Sequence, residues 1–593
     1  MRKLLPIILL LFPVILQAQE KKLVTWFEQS DGKQTPRYAE TIEFCKLLAA
    51  SSPMIHYGSF GESPQGRELP LLILDRDGLS DPAEIRKQGR VVLMIQACIH
   101  SGESDGKDAG FLLFRDMITK PENTELLKNV SVLFIPILNV DGHERFGPYN
   151  RINQNGPEEM GWRTTAQNLN LNRDYMKADA PEMQSWLKLY SAWLPEFFID
   201  CHVTDGADYQ YVLTYALETR GTMDKNLTEW TDRVCEPFLV GEMDKAGYPI
   251  FPYVEFRQWH DPRSGLESQP APPMLSQGYL AVRNRPGLLI ESHMLKPYQQ
   301  RVEATYELLK LVMRLLDREH TNLQKSELLA DEYVAGSSFR KEPFTVSWAT
   351  SSTDSVMINF KGFEYTIETS DLTGGPWFRY DNTKPATWNL PWFNRAVPET
   401  SVRLPEAYIV PPEWTDIISR MQLHGILMKP AATNFKIPVS VLRFSNVKWQ
   451  PRSYEGRLKV NYSISDSVQV FEFPAGSMII DMNQPAARVI AHLLEPASPD
   501  SYMSWGFFNT ILEQKEYFES YVMEPEARKM IKADPALKEA FEKEKISNPR
   551  FAGDPYAQLG WFYNRSPWKD SRYNVYPIGR ILDRKLLENI PTR

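Results

Sequence analysis

Cysteine is scarce: 4 in 593 residues, too few for the cross-linked framework of a small disulfide scaffold. Beyond its first residues the chain has no run of 18 uncharged apolar residues, so no membrane-spanning helix is expected there. Positive charge is in deficit, with 67 Lys and Arg against 75 Asp and Glu, a net charge of −8 and a pI near 5.8. That balance argues against nucleic acid or anionic lipid as a partner held by overall charge. There is no internal repeat, and low complexity is confined to Gln269-Pro270-Ala271-Pro272-Pro273, read as a loop. What the chain has in excess is aromatic side chains, 12% of residues with 15 Trp. At about 150 residues per domain, the length predicts two to four domains.

The N-terminus has a sorting logic of its own. Arg2 and Lys3 precede a 13-residue apolar run, Leu4 to Leu16, broken by Pro6 and Pro13, and Ala18 offers a small residue for cleavage. A spanning helix needs about 20 apolar residues, so residues 1–18 read as a secretory signal peptide. No cysteine follows the run, so no lipid anchor is expected, and loss of Arg2 and Lys3 takes the charge from −8 to −10. The expected product is exported, to the periplasm or beyond, with no membrane anchor. Cys45, Cys98, Cys201 and Cys235 have the option of pairing in such a compartment, and the sequence does not choose among pairings.

Tyr38–Ala50, Asp105–Met117, Pro181–Leu194 and Pro297–Asn322 carry helical spacing. Ile55–Phe60, Leu69–Leu74, Val91–Ala97, Ser131–Leu138, Glu196–Cys201 and Gly287–Glu291 read as strands, several of them continuous apolar runs. Strands alternating with helices predict an α/β domain over residues 19–328, a mixed sheet parallel at its centre and flanked by helices. After that the texture changes. Phe344–Thr350, Ser355–Asn359, Thr366–Thr369, Ile437–Leu442 and Gly456–Ile464 predict a β-rich module over 329–470. Residues 471–593 read as mixed, with helices at Val489–Leu494 and Lys515–Lys543 and an aromatic-rich, irregular final 40 residues.

Seven of the nine histidines precede residue 321 and all four cysteines precede residue 236, which puts the chemistry in the first half. His100-Ser101-Gly102-Glu103 directly follows the buried strand Val91–Ala97, where open α/β sheets bind ligands. His and Glu three apart can point at one metal ion, although the pattern alone is common. Asp200-Cys201-His202 ends another strand. A histidine there is more often a satisfied core residue, but two His-bearing loops at one sheet edge form a His2Glu set that leaves a tetrahedral zinc one open position.

In layout the chain resembles the zinc carboxypeptidase family, the pancreatic carboxypeptidase type with its bacterial relatives. The resemblance covers roughly residues 35 to 325. Gly61-Glu62-Ser63-Pro64-Gln65-Gly66-Arg67 is similar to that family's turn between its first two strands, and Asn139-Val140-Asp141-Gly142 to its Asn-Pro-Asp-Gly turn. Trp162-Arg163 and Asn172-Arg173 match its paired substrate motifs in order, and Arg285-Pro286-Gly287-Leu288-Leu289-Ile290-Glu291 its apolar strand ending in glutamate. The resemblance implies one Zn²⁺ per chain on His100, Glu103 and His202, polarising the scissile carbonyl and activating a water. It implies Glu291 as the residue that takes and returns the proton. Arg163 would stabilise the oxyanion, and Asn172 and Arg173 would bind a terminal carboxylate.

There are departures. Where the family often has an Asp that orients the first zinc histidine, this chain has Asn170, which can accept from imidazole but carries no charge. Val203-Thr204-Asp205 also differs from the family's Ser-Tyr pair. Tyr253 and Tyr279 are candidates for a tyrosine that closes over substrate, and Arg257, Asp261 and Glu267 for its side-chain pocket. The expected function is a secreted zinc metallocarboxypeptidase acting on peptides. One alternative is a zinc amidohydrolase acting on cell-wall stem peptides or acyl-amino acids. Another is an inactive homologue whose Trp-rich second half binds glycan or protein. Trp377, Trp388 and Trp392 fit either a stacking platform or, more simply, packing between modules.

Overall fold

Eight strands of the first half share one sheet in a computed structural model that describes residues 23–592. The expected signal peptide, residues 1–18, lies outside the described residues. The strands run β1 (Ile55–Glu62), β2 (Glu68–Leu74), β3 (Val91–Gln96), β4 (Val130–Ile135), β5 (Phe197–Thr204), β6 (Leu213–Leu217) and β7 (Ile250–Pro252). A hairpin, β8 (Glu255–Gln258) and β9 (Asp261–Glu267), then leaves the sheet before β10 (Gly287–His293) re-enters it. The order is β1-β2-β4-β3-β5-β10-β6-β7. β4, β3, β5 and β10 are mutually parallel, whereas β1 and β2 at one edge and the β10–β6 pair are antiparallel. This is the mixed, centrally parallel sheet expected from the apolar runs.

Those runs are continuous because helices cover both faces, and every residue of β3, β4 and β5 is buried. The helices include α1 (Tyr38–Ser51), α2 (Asp105–Thr119), α3 (Pro181–Trp193), α4 (Ser276–Val282) and α5 (Tyr298–Ala335). On one face Phe111 of α2 and Leu308, Val312 and Leu316 of α5 pack against Ile95, Ile199 and Ile290. On the other Trp186 and Tyr190 of α3 and Tyr279 of α4 pack against Met94 and Phe198. The alternation along each strand thus assigns side chains to two cores, one above and one below the sheet.

The second half is built from long hairpins. β11 (Phe344–Thr350), β12 (Val356–Thr369), β13 (Pro376–Phe393) and β14 (Ala396–Val402) come first. β12 and β13 pair antiparallel over almost their whole length, and β13 joins β9 of the first half through Trp392 and Leu266. β15 (Ala407–Val410), β16 (Lys429–Pro430), β17 (Phe435–Trp449), β18 (Val460–Phe473), β19 (Met478–Asp481) and β20 (Gly579–Ile581) form a sheet ordered β16-β19-β15-β20-β17-β18. Two expectations need correction. Lys515–Lys543 is split into Ser520–Ala533 and Pro535–Ser547 because Pro535 has no N–H, and Asp534 caps the second helix by accepting from Ala536 and Leu537. The final 40 residues are not irregular throughout: they hold a helix, Pro555–Tyr563, and β20, which slots between β15 and β17.

The halves are joined by a common core. Trp186, Tyr190 and Tyr279 from the first share a cluster with Tyr408, Met421, Ile490 and Tyr502 from the second. Inside it the Tyr279 hydroxyl meets His424 Nδ1 at 2.9 Å and His424 Nε2 meets the Met176 carbonyl at 3.1 Å, so the imidazole donates from Nε2 and accepts at Nδ1. Residue 328 falls within α5 and residue 470 within β18. A smaller aromatic cluster, Tyr209, Tyr211 and Phe251 with Phe360, Trp388 and Trp392, fastens the β12–β13 hairpin to the sheet edge. Trp388 and Trp392 therefore serve packing between the halves, while Trp377 stands exposed under Arg379. All four cysteines are buried free thiols.

Candidate active site

The parallel register assembles the site. Gln96 at the end of β3 lies beside Asp200 of β5, and Glu291 of β10 lies beside His202 of β5. The chain leaving β3 turns through Cys98, whose φ is 54°, and places His100 and Glu103 over the same edge just before α2. Gly102 between them has no room for a side chain: a Cβ would lie 2.8 Å from the Gly161 carbonyl oxygen. The tight passage holds this loop against the one that carries Arg163.

His100, Glu103 and His202 are all buried and offer ligand atoms that lie within 4.8 Å of one another. His100 Nδ1 stands 3.2 Å from Glu103 Oε1, and His202 Nδ1 stands 3.0 Å from Glu103 Oε2. The opposite ring nitrogens are held from behind. His100 Nε2 is 3.1 Å from Asn170 Oδ1, and His202 Nε2 is 3.0 Å from Asp200 Oδ2, in ion-pair range though not aligned as a hydrogen bond. Both histidines thus present Nδ1 inward. His100 Nδ1 is buried with no hydrogen-bond partner, a cost that a cation at the centre would remove. Two imidazole nitrogens and a carboxylate are a donor set suited to zinc, so the residues fit the metal that the sequence implied.

The electrostatics follow from burial and neighbours. Burial lowers the His100 imidazole to about 4 and keeps it neutral, the form that binds metal. For His202 burial pulls the same way but is overridden by Asp200, with Glu103, and the group is held well above the ordinary range. Burial would raise Glu103, yet His100 and Arg151 hold it well below the carboxylate range. Glu291 is the reverse: burial pushes it up to about 8, with His202 opposing. Glu103, a candidate metal ligand, is thus held ionised while Glu291 beside His202 is driven the other way.

The arginine loops are built on the Asn139-Val140-Asp141-Gly142 turn. Asn139 Oδ1 accepts from Gly142 N and its amide donates to the Arg163 carbonyl, while Trp162 N donates to the Gly142 carbonyl. Asp141 is gripped by the other motif turn, accepting from Ser63 Oγ at 2.8 Å and from Arg67 Nη1 at 2.7 Å. Arg163 Nη1 ends 3.7 Å from Glu103 Oε1, with its side chain 43% exposed and so open to a ligand. Asn170 accepts from Asn172 N as well as facing His100, and Arg173 Nη1 donates to the Asn172 carbonyl. Asn172 Oδ1 is buried without a partner.

Sequence reasoning missed two residues here. Arg151, on the loop between the Asn-Val-Asp-Gly turn and Arg163, brings Nη2 to 2.8 Å from Glu103 Oε1, and no local pattern announces it. Asp200 has no role assigned by the sequence pattern alone. Its place two residues before His202 on one strand puts both on one face, which was the available signal. Asp200 is itself fixed by Gln96, whose amide donates to Oδ1 at 2.9 Å. Of the two tyrosines considered, Tyr279 is buried in the shared core. Tyr253 stands at the end of β7 beside Thr204 and within electrostatic reach of Glu291. Arg257 and Asp261 instead engage the second half, Arg257 over the Phe393 ring at 4.2 Å and Asp261 accepting from the Tyr365 hydroxyl. Glu267 accepts from Gln269.

Residues 41–213 match the family model described as Zinc carboxypeptidase. Carboxypeptidase 2 of Trichophyton rubrum is 22% identical over 492 residues, covering 80% of this chain and 85% of that protein. Carboxypeptidase 2 of Trichophyton equinum is 23% identical over 507 residues, with the same coverage of 80% and 85%. Both alignments are longer than the whole first half, so the likeness extends into the second. Among solved structures, the carboxypeptidase A of Helicoverpa armigera is 14% identical, covering 48% of this chain and 74% of that one at a TM-score of 0.36.

Proposed function

The chain belongs to the zinc carboxypeptidase family and is a metallocarboxypeptidase, and from that premise we propose how its own residues divide the work. The single observation that carries the reading is the convergence of His100, Glu103 and His202 at the strand end beside Glu291. In it, His100, Glu103 and His202 hold one Zn²⁺, with Asn170 and Asp200 fixing both imidazoles so that Nδ1 faces inward. The metal supplies Lewis-acid polarisation of the scissile carbonyl and a water made acidic enough to react. Glu291, beside His202 at the strand end, takes the proton from the attacking water in its carboxylate form and passes one to the leaving amine. Arg163 places a fixed positive charge where the oxyanion develops. Arg173 and Asn172 grip the free terminal carboxylate of a peptide, the arginine through its planar fork.

On this reading residues 19–328 are the catalytic unit, with 329–470 and 471–593 as accessory regions fused to it by the shared core. No helix among the described residues is long and apolar enough to cross a membrane, and we infer export from the N-terminal pattern Arg2 to Ala18. The exopeptidase assignment is tested with a peptide pair, one with a free and one with an amidated C-terminus, assayed on the zinc-loaded protein. Cleavage of the free peptide should exceed that of the amide by about 100-fold or more, because Arg173 loses its charged partner. Equal cleavage would refute the terminal-carboxylate role and favour the amidohydrolase alternative.

A further inference from the structure

Residues 170–174 carry Asn172 and Arg173, and the Arg173 guanidinium has no carboxylate partner among the described residues: it donates to the Asn172 carbonyl. Its direction is therefore set by the backbone that carries it. The chain just beyond is a loop closed on itself. Asp174, fully buried, accepts from Asp179 N at 3.0 Å and from Ala180 N at 2.8 Å. Lys177, also buried, lies against Asp174 and places Nζ 3.3 Å from Asp179 Oδ2. Ala178 takes a φ of 53°, a left-handed conformation that a residue other than glycine keeps only where its surroundings demand it.

The demand comes from the second half. Arg420, in the helix Thr415–Leu423, donates to the Lys177 and Ala178 carbonyls, and His424 donates to the Met176 carbonyl. Arg457 completes the grip from the turn between β17 and β18, where it exchanges backbone hydrogen bonds with Tyr454 at 2.9 and 3.0 Å. Its Nε stands 3.0 Å from Asp179 Oδ2 and its Nη2 reaches Oδ1, a two-pronged pair that lysine cannot reproduce. The Phe507 ring backs this guanidinium at 3.8 Å and that of Arg420 at 4.7 Å. Gly456, in the same turn, faces Leu169, the residue before Asn170. One turn of the second half thus touches the chain on both sides of 170–174. The halves already share an apolar core, and an ion pair whose arginine is 27% exposed adds little to its stability. What the pair adds is fixed geometry.

We propose that Arg457 is a positioning residue for binding the substrate's terminal carboxylate: through Asp179 it fixes the 174–180 loop and so the direction of Asn172 and Arg173. The inference rests on the reading of those two residues as the carboxylate clamp. Loss of the brace leaves the zinc ligands, Glu291 and Arg163 in place but loosens the clamp, so the penalty falls on binding a free C-terminus.

The test compares the zinc-loaded full chain with Arg457→Gln and Arg457→Lys on one peptide, with its C-terminus free or amidated, the fold being checked by circular dichroism. Arg457→Gln should raise KM for the free peptide by about tenfold with kcat within about twofold, and should leave cleavage of the amide within about twofold. Arg457→Lys keeps the charge and loses the fork; it should raise KM by about threefold, and it carries the test if the glutamine variant does not fold. An unchanged KM in the variant that carries the test, or an equal loss on both peptides, overturns the positioning role. A parent that cleaves both peptides equally removes the clamp and the brace with it. A parent whose preference for the free peptide survives Arg457→Gln removes the brace alone.

Discussion

The two halves of this molecule solve different problems with different chemistry. The first buries polar groups on purpose: His100, Glu103, Asp200 and His202 sit together inside a parallel sheet edge with almost no water contact. The second buries mainly rings and aliphatics, and its long hairpins leave much of their length exposed, as along β12 and β18. Buried polar groups are costly unless each is matched, so the first half is constrained residue by residue. Apolar packing tolerates many solutions, so the second is constrained mostly in pattern and volume, with exceptions such as the buried Glu495–Arg580 pair. The contrast teaches where function is written most plainly.

If that contrast is right, substitutions in the first half should damage chemistry, and substitutions at the junction should damage stability. The largest effect is expected from Glu291→Gln. It keeps shape and hydrogen bonding while removing the proton acceptor, and should cut turnover by about 10²–10⁴-fold with zinc retained. Steady-state kinetics alongside metal analysis checks both parts. Asp200→Asn comes next. Removing the charge behind His202 should weaken zinc binding by about 10–100-fold, read by competition with a chelator, while the fold and its melting temperature change little. An unchanged affinity would show that Asp200 is only a packing residue.

At the junction, Phe360 of β12 is fully buried among Tyr209, Tyr211 and Phe251. Phe360→Ala should cost about 3–5 kcal/mol in denaturant unfolding. Because the halves share a core, the loss should appear in a single transition; two separate transitions would break the picture of one fused body. The smallest effect concerns Glu182, at the start of α3, whose two carboxylate oxygens are buried without partners. Burial raises its carboxyl to about 7, with Asp141 and Asp174 adding to the shift. The folded state thus binds this proton more tightly than the unfolded chain. That contribution is fully present below about pH 4.5 and is lost as pH rises through 7. Glu182→Gln should match the parent at pH 4 and exceed it at pH 8 by up to about 3 kcal/mol. An equal gain at both pH values would refute the ionisation account.

Much of the first half was legible in sequence for the reason the contrast gives. Val91–Gln96 and Val130–Ile135 announce themselves because strands covered on both faces are mostly apolar, their buried Gln96 and Ser131 being the exceptions. His100, Glu103 and His202 stood out because they follow such strands. Short strands such as Ile250–Pro252 carried no such signal, and the β8–β9 hairpin, with Arg257 and Asp261, was read as pocket lining although its partners lie in the second half. Arg151 was invisible because only the folded loop brings it to Glu103. The terminal β20 was missed because three residues gain strand character only by pairing with β15 and β17, distant in sequence.

The central claim is that His100, Glu103 and His202 together form one zinc site. Metal analysis of the purified chain and of His202→Ala, each dialysed against the same limiting zinc, tests it most directly. The account predicts about one zinc per chain in the parent and loss of most of it in the variant, with the fold intact by circular dichroism. Full zinc retention by folded His202→Ala would contradict it.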